Sequence, residues 1–227
     1  MSKDIEKLVL SSLAENHFKI SIPELSKQFQ VSEEVIVSVI KSLQASGKLT
    51  GTLVEDDKIF IKLSWDDLMN FETVKSFGIC PLSVSEKLGL SPDDLLKYIT
   101  AYTNEHNISA LRVPGKEIVI FPDTLKGQIS KKGVISLSEL VENAGISKED
   151  ARYVINTLIV TGFRGIYVDE TFVTLDFLMD RVEKILRENG SVGVSALARM
   201  LNVDEKVAFN LLVELKRFKV NPNLKIG

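Results

Sequence analysis

Cys80 is the single cysteine of this 227-residue sequence, and His17 and His106 are its two histidines. One cysteine cannot form an intramolecular disulfide or a cysteine-built zinc site. Cys80 precedes a short helical stretch whose dipole would lower a thiol pKa. No histidine lies near it in sequence, however, and a buried, inert thiol is the commoner state of a lone cysteine. His17 and His106 each fall in a polar stretch read as a turn. The carboxylate pairs Asp56-Asp57 and Asp66-Asp67 are adjacent in turns, the wrong setting for an acid and a base working on one substrate. Gly115 and Gly133 belong to short turns, not to a phosphate-cradling loop. The expectation is a protein without catalytic residues, metal or cofactor, and so not an enzyme.

Composition points the same way. With 44% hydrophobic and 26% charged residues the chain can build cores, which excludes a disordered chain. No run approaches eighteen apolar residues, and MSKDIEKLVL lacks a signal-peptide core, so the expectation is a cytoplasmic protein with no membrane span. Twenty-eight Lys and Arg against thirty-one Asp and Glu give a net charge of −3. That balance weighs against a nucleic-acid binder, although a local basic face could exist within it.

The elements that position these residues repeat. ISIPELSKQFQVSEE, CPLSVSEKLGLSPDD, ISLSELVENAGISKED and VGVSALARMLNVDEK share one grammar: a helical segment, a turn, then a cap before acidic residues. Aligned on Ser32, Ser91, Ser147 and Asp204, they define four repeats of about 57 residues that fill the chain, at 1–64, 65–122, 123–175 and 176–227. In the first, Ile5, Leu8, Val9 and Leu13 recur at helical spacing over 3–15. Ser21-Ile-Pro-Glu24 is a capping box opening a second helix over 22–29. A third helix over 33–46 stops at Gly47. Two β-favouring runs, LTGTLV and IFIKL, then flank a polar turn. Three helices and a β-hairpin make a winged helix, an elaboration of helix-turn-helix.

The second repeat predicts helices over 66–76, 82–88 and 92–105 with a hairpin turning at Pro114-Gly115. The third predicts 123–131, 137–143 and 148–161, with the capping box Ser136–Glu139 and the hairpin GIYV-DE-TFVTL. The fourth predicts 176–189, 195–201 and 204–218, and its wing, FKVNPNLKIG, reads as incomplete. The expected fold is mostly α with small β-hairpins, an α+β array of four tandem winged helices.

Function in such a fold turns on the third helix, which DNA-binding members lay in the major groove. Four columns face each repeat's core at i, i+3, i+4, i+7: Ile36, Leu95, Ala151, Ala208; Val39, Tyr98, Val154, Leu211; Ile40, Ile99, Ile155, Leu212; and Leu43, Tyr102, Leu158, Leu215. The opposite faces begin with acids in three repeats (Glu33-Glu34, Asp93-Asp94, Glu149-Asp150). These suit the helix dipole and repel phosphates at the point of groove entry. Val37, Leu96, Phe209 and Val213 are apolar on that outer face and are the candidate protein-partner residues, unless neighbouring repeats cover them. The alternative, a DNA-binding transcription regulator using repeats three and four, would employ Arg152, Tyr153, Asn156 and Arg164 together with Lys216, Arg217, Lys219 and Lys225.

Two segments resemble a known pathway. Leu49-Thr-Gly-Thr-Leu-Val-Glu-Asp-Asp-Lys58-Ile-Phe-Ile-Lys-Leu63 is similar to the wing of the DDRGK-domain adaptor of ubiquitin-fold-modifier conjugation (UFMylation). Residues 115–201 resemble the tandem winged helices of that pathway's scaffold ligase, through Gly115-Lys-Glu-Ile118 with Pro122, Val134-Ile-Ser-Leu-Ser-Glu-Leu140, Val168-Asp-Glu-Thr-Phe172 and Arg187-Glu-Asn-Gly190. The resemblance implies a non-enzymatic scaffold that brings a charged conjugating enzyme to its target. Its partner would be a ubiquitin-like conjugating enzyme or a second winged-helix protein, with nucleic acid less favoured.

Overall fold

The structure, a computed structural model, describes residues 2–15, 18–113 and 115–217. It is mostly helical, with three small antiparallel sheets of three strands each. In chain order come α1 (Ser2–Glu15), β1 (Lys19–Ser21), α2 (Ile22–Phe29), α3 (Glu33–Ala45), β2 (Thr52–Val54) and β3 (Ile59–Ile61). These are followed by α4 (Trp65–Met69), α5 (Glu72–Phe77), β4 (Ile79–Pro81), α6 (Val84–Lys87), α7 (Pro92–His106), β5 (Leu111–Arg112) and β6 (Ile118–Ile120). A third round gives α8 (Pro122–Lys132), β7 (Val134–Ser136), α9 (Leu137–Ala144), α10 (Lys148–Val160), β8 (Gly165–Val168) and β9 (Thr171–Thr174). The described part ends with α11 (Leu175–Asn189), α12 (Val194–Leu201) and α13 (Glu205–Arg217).

The caps explain why these helices begin where they do. Backbone N–H groups three residues on donate to Ser21, Ser91, Ser136 and Ser147, at 3.4 Å from Glu24 and 3.1 Å from Asp94, Glu139 and Asp150. Helices end on left-handed residues at Gln30, Asn107, Gly145, Gly190 and Asn202. Ser32 and Ser83 are serine caps whose side chains make no such bond to the backbone.

Each sheet holds one strand more than a hairpin. The orders are β1-β3-β2, β4-β6-β5 and β7-β9-β8, so the short segment before each second helix pairs with the hairpin's second strand. Ile20 faces Phe60 across β1 and β3, and Ile135 faces Phe172 across β7 and β9. Both phenylalanine rings are fully buried and lie over a glycine. A Cβ at Gly51 or Gly165 would collide with the Phe60 or Phe172 ring, so glycine is required for the strand to pass under it.

One expected helix is broken. The segment read as 66–76 forms α4 and α5 instead, and Leu68, Val74 and Phe77 are all buried. A continuous α-helix would turn Phe77 about 180° away from Leu68, so the interruption puts both inside. Two compact units emerge, Met1–Lys75 with Cys80–Val119 and Ser76–Ile79 with Ile120–Gly227. In the first, Ile5, Val9, Leu13, Ile20, Ile22, Ile36, Ile40 and Phe60 form one core. In the second, Ile166 and Val173 of the third sheet join Leu178, Val182, Leu197, Ala208 and Leu211 of α11–α13 in another. Of the four expected core columns every member is buried except Tyr102, which is half-buried and stacked between Trp65 and His106, with centroids at 4.5 and 4.0 Å. His106 therefore belongs to the last turn of α7, not to a loop. His17, Pro114 and the segment expected to form a fourth wing lie outside the described residues.

Candidate protein-interaction site

The third helices fall into two kinds. α7 packs on β2, the outer strand of the preceding sheet. Lys19 of β1 donates to Asp94 Oδ1 at 2.7 Å, and the Ser91 hydroxyl donates to Asp94 Oδ2 at 2.8 Å. Lys97 bridges Glu55 at 2.6 Å and Asp93 at 2.5 Å. Burial raises the Asp94 pKa, but the bonds from Lys19 and Ser91 and the charges of Lys19 and Lys97 outweigh it, leaving the carboxyl below its ordinary value. Hydrogen bonds to Asp93 and Glu55 raise the Lys97 pKa. Tyr98, the next residue on α7, is completely buried, and burial is the main cause that pushes its phenol pKa up.

α13 repeats this docking in the second unit. It packs on β8, again the outer strand of the preceding sheet. Lys206 pairs with Asp169 at 3.3 Å, and the Asn210 amide donates to the other oxygen of the same carboxylate. The Asn210 bond is the main cause that holds the Asp169 pKa low, ahead of Lys206. Three residues past the cap, α7 places Asp94 and α13 places Val207, and both are buried against the docked side.

α3 and α10 are bare by comparison. α3 packs on α1 and α2 of its own repeat, and Val35, three residues past its cap, is 40% exposed. Its outer face, with the turn between β2 and β3, lines a groove of 480 Å³ formed by Glu33, Glu34, Val37, Ser38, Lys41, Asp56 and Asp57. Lys41, the one cation there, is paired with Asp57 at 2.8 Å. A hydrogen bond from Ser32 holds the Glu34 carboxyl below its usual pKa. α10 packs on α8 and α9, and exposes Tyr153, Ile159 and Val160, the last at 83%. Lys148 and Arg152 both reach Glu170 of the β8–β9 turn, at 2.8 and 3.1 Å.

The residues singled out from the sequence scatter accordingly. Leu96 is a correction: it is only 7% exposed and offers nothing to a partner. Val37 is half-buried in the acidic groove. Phe209 and Val213, at 51% and 41% exposure, sit one turn apart on α13 and form the clearest apolar patch of the set. Among the nucleic-acid candidates, Arg152 is tied to Glu170, whereas Tyr153 and Asn156 are exposed beside it. Arg164 is exposed beyond the other end of α10, and Lys216 and Arg217 close α13, with Arg217 3.5 Å from Glu214. They are not brought together on one face of α10. Lys219 and Lys225 lie outside the described residues. Sequence reasoning missed Val35, Ile159 and Val160, whose only signal is an apolar residue off the core stripe.

No catalytic constellation accompanies these faces among the described residues. Cys80 is fully buried, and burial pushes its thiol pKa up to about 12, which disfavours the reactive thiolate. Among the described residues no three His, Cys, Asp or Glu side chains gather where a metal could bind, and no helix is long and apolar enough to cross a membrane. Neither protein-family models nor curated proteins match the chain.

Proposed function

We propose that the protein is a non-enzymatic interaction scaffold built of four tandem winged helices, spanning 1–64, 65–122, 123–175 and 176–227. The observation that carries this reading is the use of α7 and α13. A groove-reading helix must present its first turns to phosphates and base edges. Here those turns are covered by the preceding sheet, through Lys19 of its first strand and Glu55 for α7 and through Asp169 for α13. The bare α3 carries an acidic groove instead, where approach of a phosphate backbone is unfavourable. Phe209 and Val213 remain as an apolar patch flanked by Lys206 and Lys216, the composition of a protein-docking surface more than of a DNA one.

The resemblance of residues 49–63 and 115–201 to the UFMylation adaptor and ligase extends the proposal. The partner is then a ubiquitin-like conjugating enzyme or a second winged-helix protein, met in the cytoplasm. The test is affinity purification from the native host and from purified conjugating enzyme, with the full chain as bait. Phe209→Asp, still folded by circular dichroism, is expected to lose the partner, whereas Arg152→Glu and Lys216→Glu retain it. Full recovery on the Phe209→Asp bait contradicts the assigned face.

A further inference from the structure

β2 and β8 are outer strands of their sheets, and each is covered by the third helix that follows it in the chain. β5 is the corresponding outer strand of the middle sheet, and it is open: Leu111 is 38% exposed and Arg112 is also exposed. An uncovered outer strand is a natural place for another chain to dock. α3, in the same unit, is the converse, a third helix that packs chiefly on α1 and α2 of its own repeat and leaves Val35 exposed where α7 and α13 have buried residues.

The charges of these two surfaces are complementary, and opposite to those of the docked pairs. The covered wings offer carboxylates, Glu55 and Asp169, to Lys97 and to Lys206 and Asn210. The middle wing offers the cation Arg112, while α3 offers Glu33 and Glu34 in its first turn. Glu34 stands two residues past the cap, the position of Lys206 on α13. Neither surface can use the other within one chain as folded, since both face solvent.

We propose that β5 of one chain receives the N-terminal half of α3 from a second copy, with Arg112 against Glu33 and Glu34 and Leu111 against Val35. The two surfaces differ, so the contact is heterologous and chains add head to tail. A small contact with an exposed charge cluster is weak and salt-sensitive. The inference rests on the internal docking and not on the scaffold reading, which a strictly monomeric chain would leave standing.

Sedimentation velocity of the full chain from about 1 to about 500 μM spans the affinities expected of such contacts. The weight-average sedimentation coefficient is expected to rise with concentration and to rise less at high salt. Arg112→Glu and Glu34→Arg, both at exposed positions, each weaken association at least about tenfold. Mixing the two variants in equal amounts restores it, because the two reversed charges then meet each other while the unaltered surfaces of the two chains also meet. A constant coefficient over the whole range overturns the proposal, and so does association that both reversals leave unchanged.

Discussion

α7 and α3 begin alike, with a serine cap, two acids in the first turn and an aliphatic core stripe, yet they end in opposite situations. Asp94 of α7 is buried against Lys19, whereas Glu34 of α3 lies in an open groove and bonds to the cap beside it and to its own backbone. The same division separates α13 from α10 in the second unit. The fate of such a helix's outer face is thus set by whether the outer strand of a sheet lies against it, as β2 does for α7 and β8 for α13, not by the helix's own sequence. Acids that look equivalent in the repeat do different work: one closes a tertiary contact, the other only favours the helix start.

Substitutions on these helices should separate the side chains that packing covers from those it leaves in solvent, most strongly in the core of the docked one. Tyr98→Ala is expected to cost about 3–5 kcal/mol, the usual range for deleting a fully buried aromatic ring. Tyr153→Ala on the bare α10 should change stability by less than about 0.5 kcal/mol. Urea denaturation of both variants reads the difference, and equal losses would erase the distinction.

A smaller effect is expected at the ion pair. Asp94→Asn should cost about 1–3 kcal/mol at neutral pH, by weakening a hydrogen bond from a charged partner at a buried position. The pH dependence has a definite sign. The folded pKa of Asp94 lies below its unfolded value, so the stabilisation is complete above roughly pH 4 and is lost as pH falls through the folded pKa. The gap in urea midpoint between wild type and Asp94→Asn should therefore close on acidification. A gap that persists would show that the carboxylate charge is not what matters.

Smaller still, Phe209→Asp should leave the melting temperature nearly unchanged, because half of the side chain already faces solvent. The smallest effect is expected for Arg152→Ala. Lys148 still reaches Glu170, and exposed ion pairs contribute little, so the urea midpoint should not move measurably.

How much of this was legible in the residues follows from the range of the forces involved. The bounds of α2, α9, α10 and α13 are readable to within a residue or two because Ser21, Ser136, Ser147 and Asp204 mark their starts locally. The core columns are readable because helical periodicity is local as well. The strands β1, β4 and β7 are not, since three residues carry no alternation pattern and exist only by pairing with a distant hairpin. The break between α4 and α5 hides in a period-three spacing that a helix reading smooths over. Leu96 was misplaced for the same reason that Val35 was overlooked: burial on an outer face depends on packing from elsewhere in the fold, which the repeat's own periodicity does not encode.

The most direct test of the account is a fluorescence-anisotropy titration of the full chain with duplex DNA at two salt concentrations. If the third helices are protein-docking elements, no saturable binding develops at either. Sub-micromolar binding whose logarithm falls by roughly one per phosphate contacted for each tenfold rise in salt would contradict it.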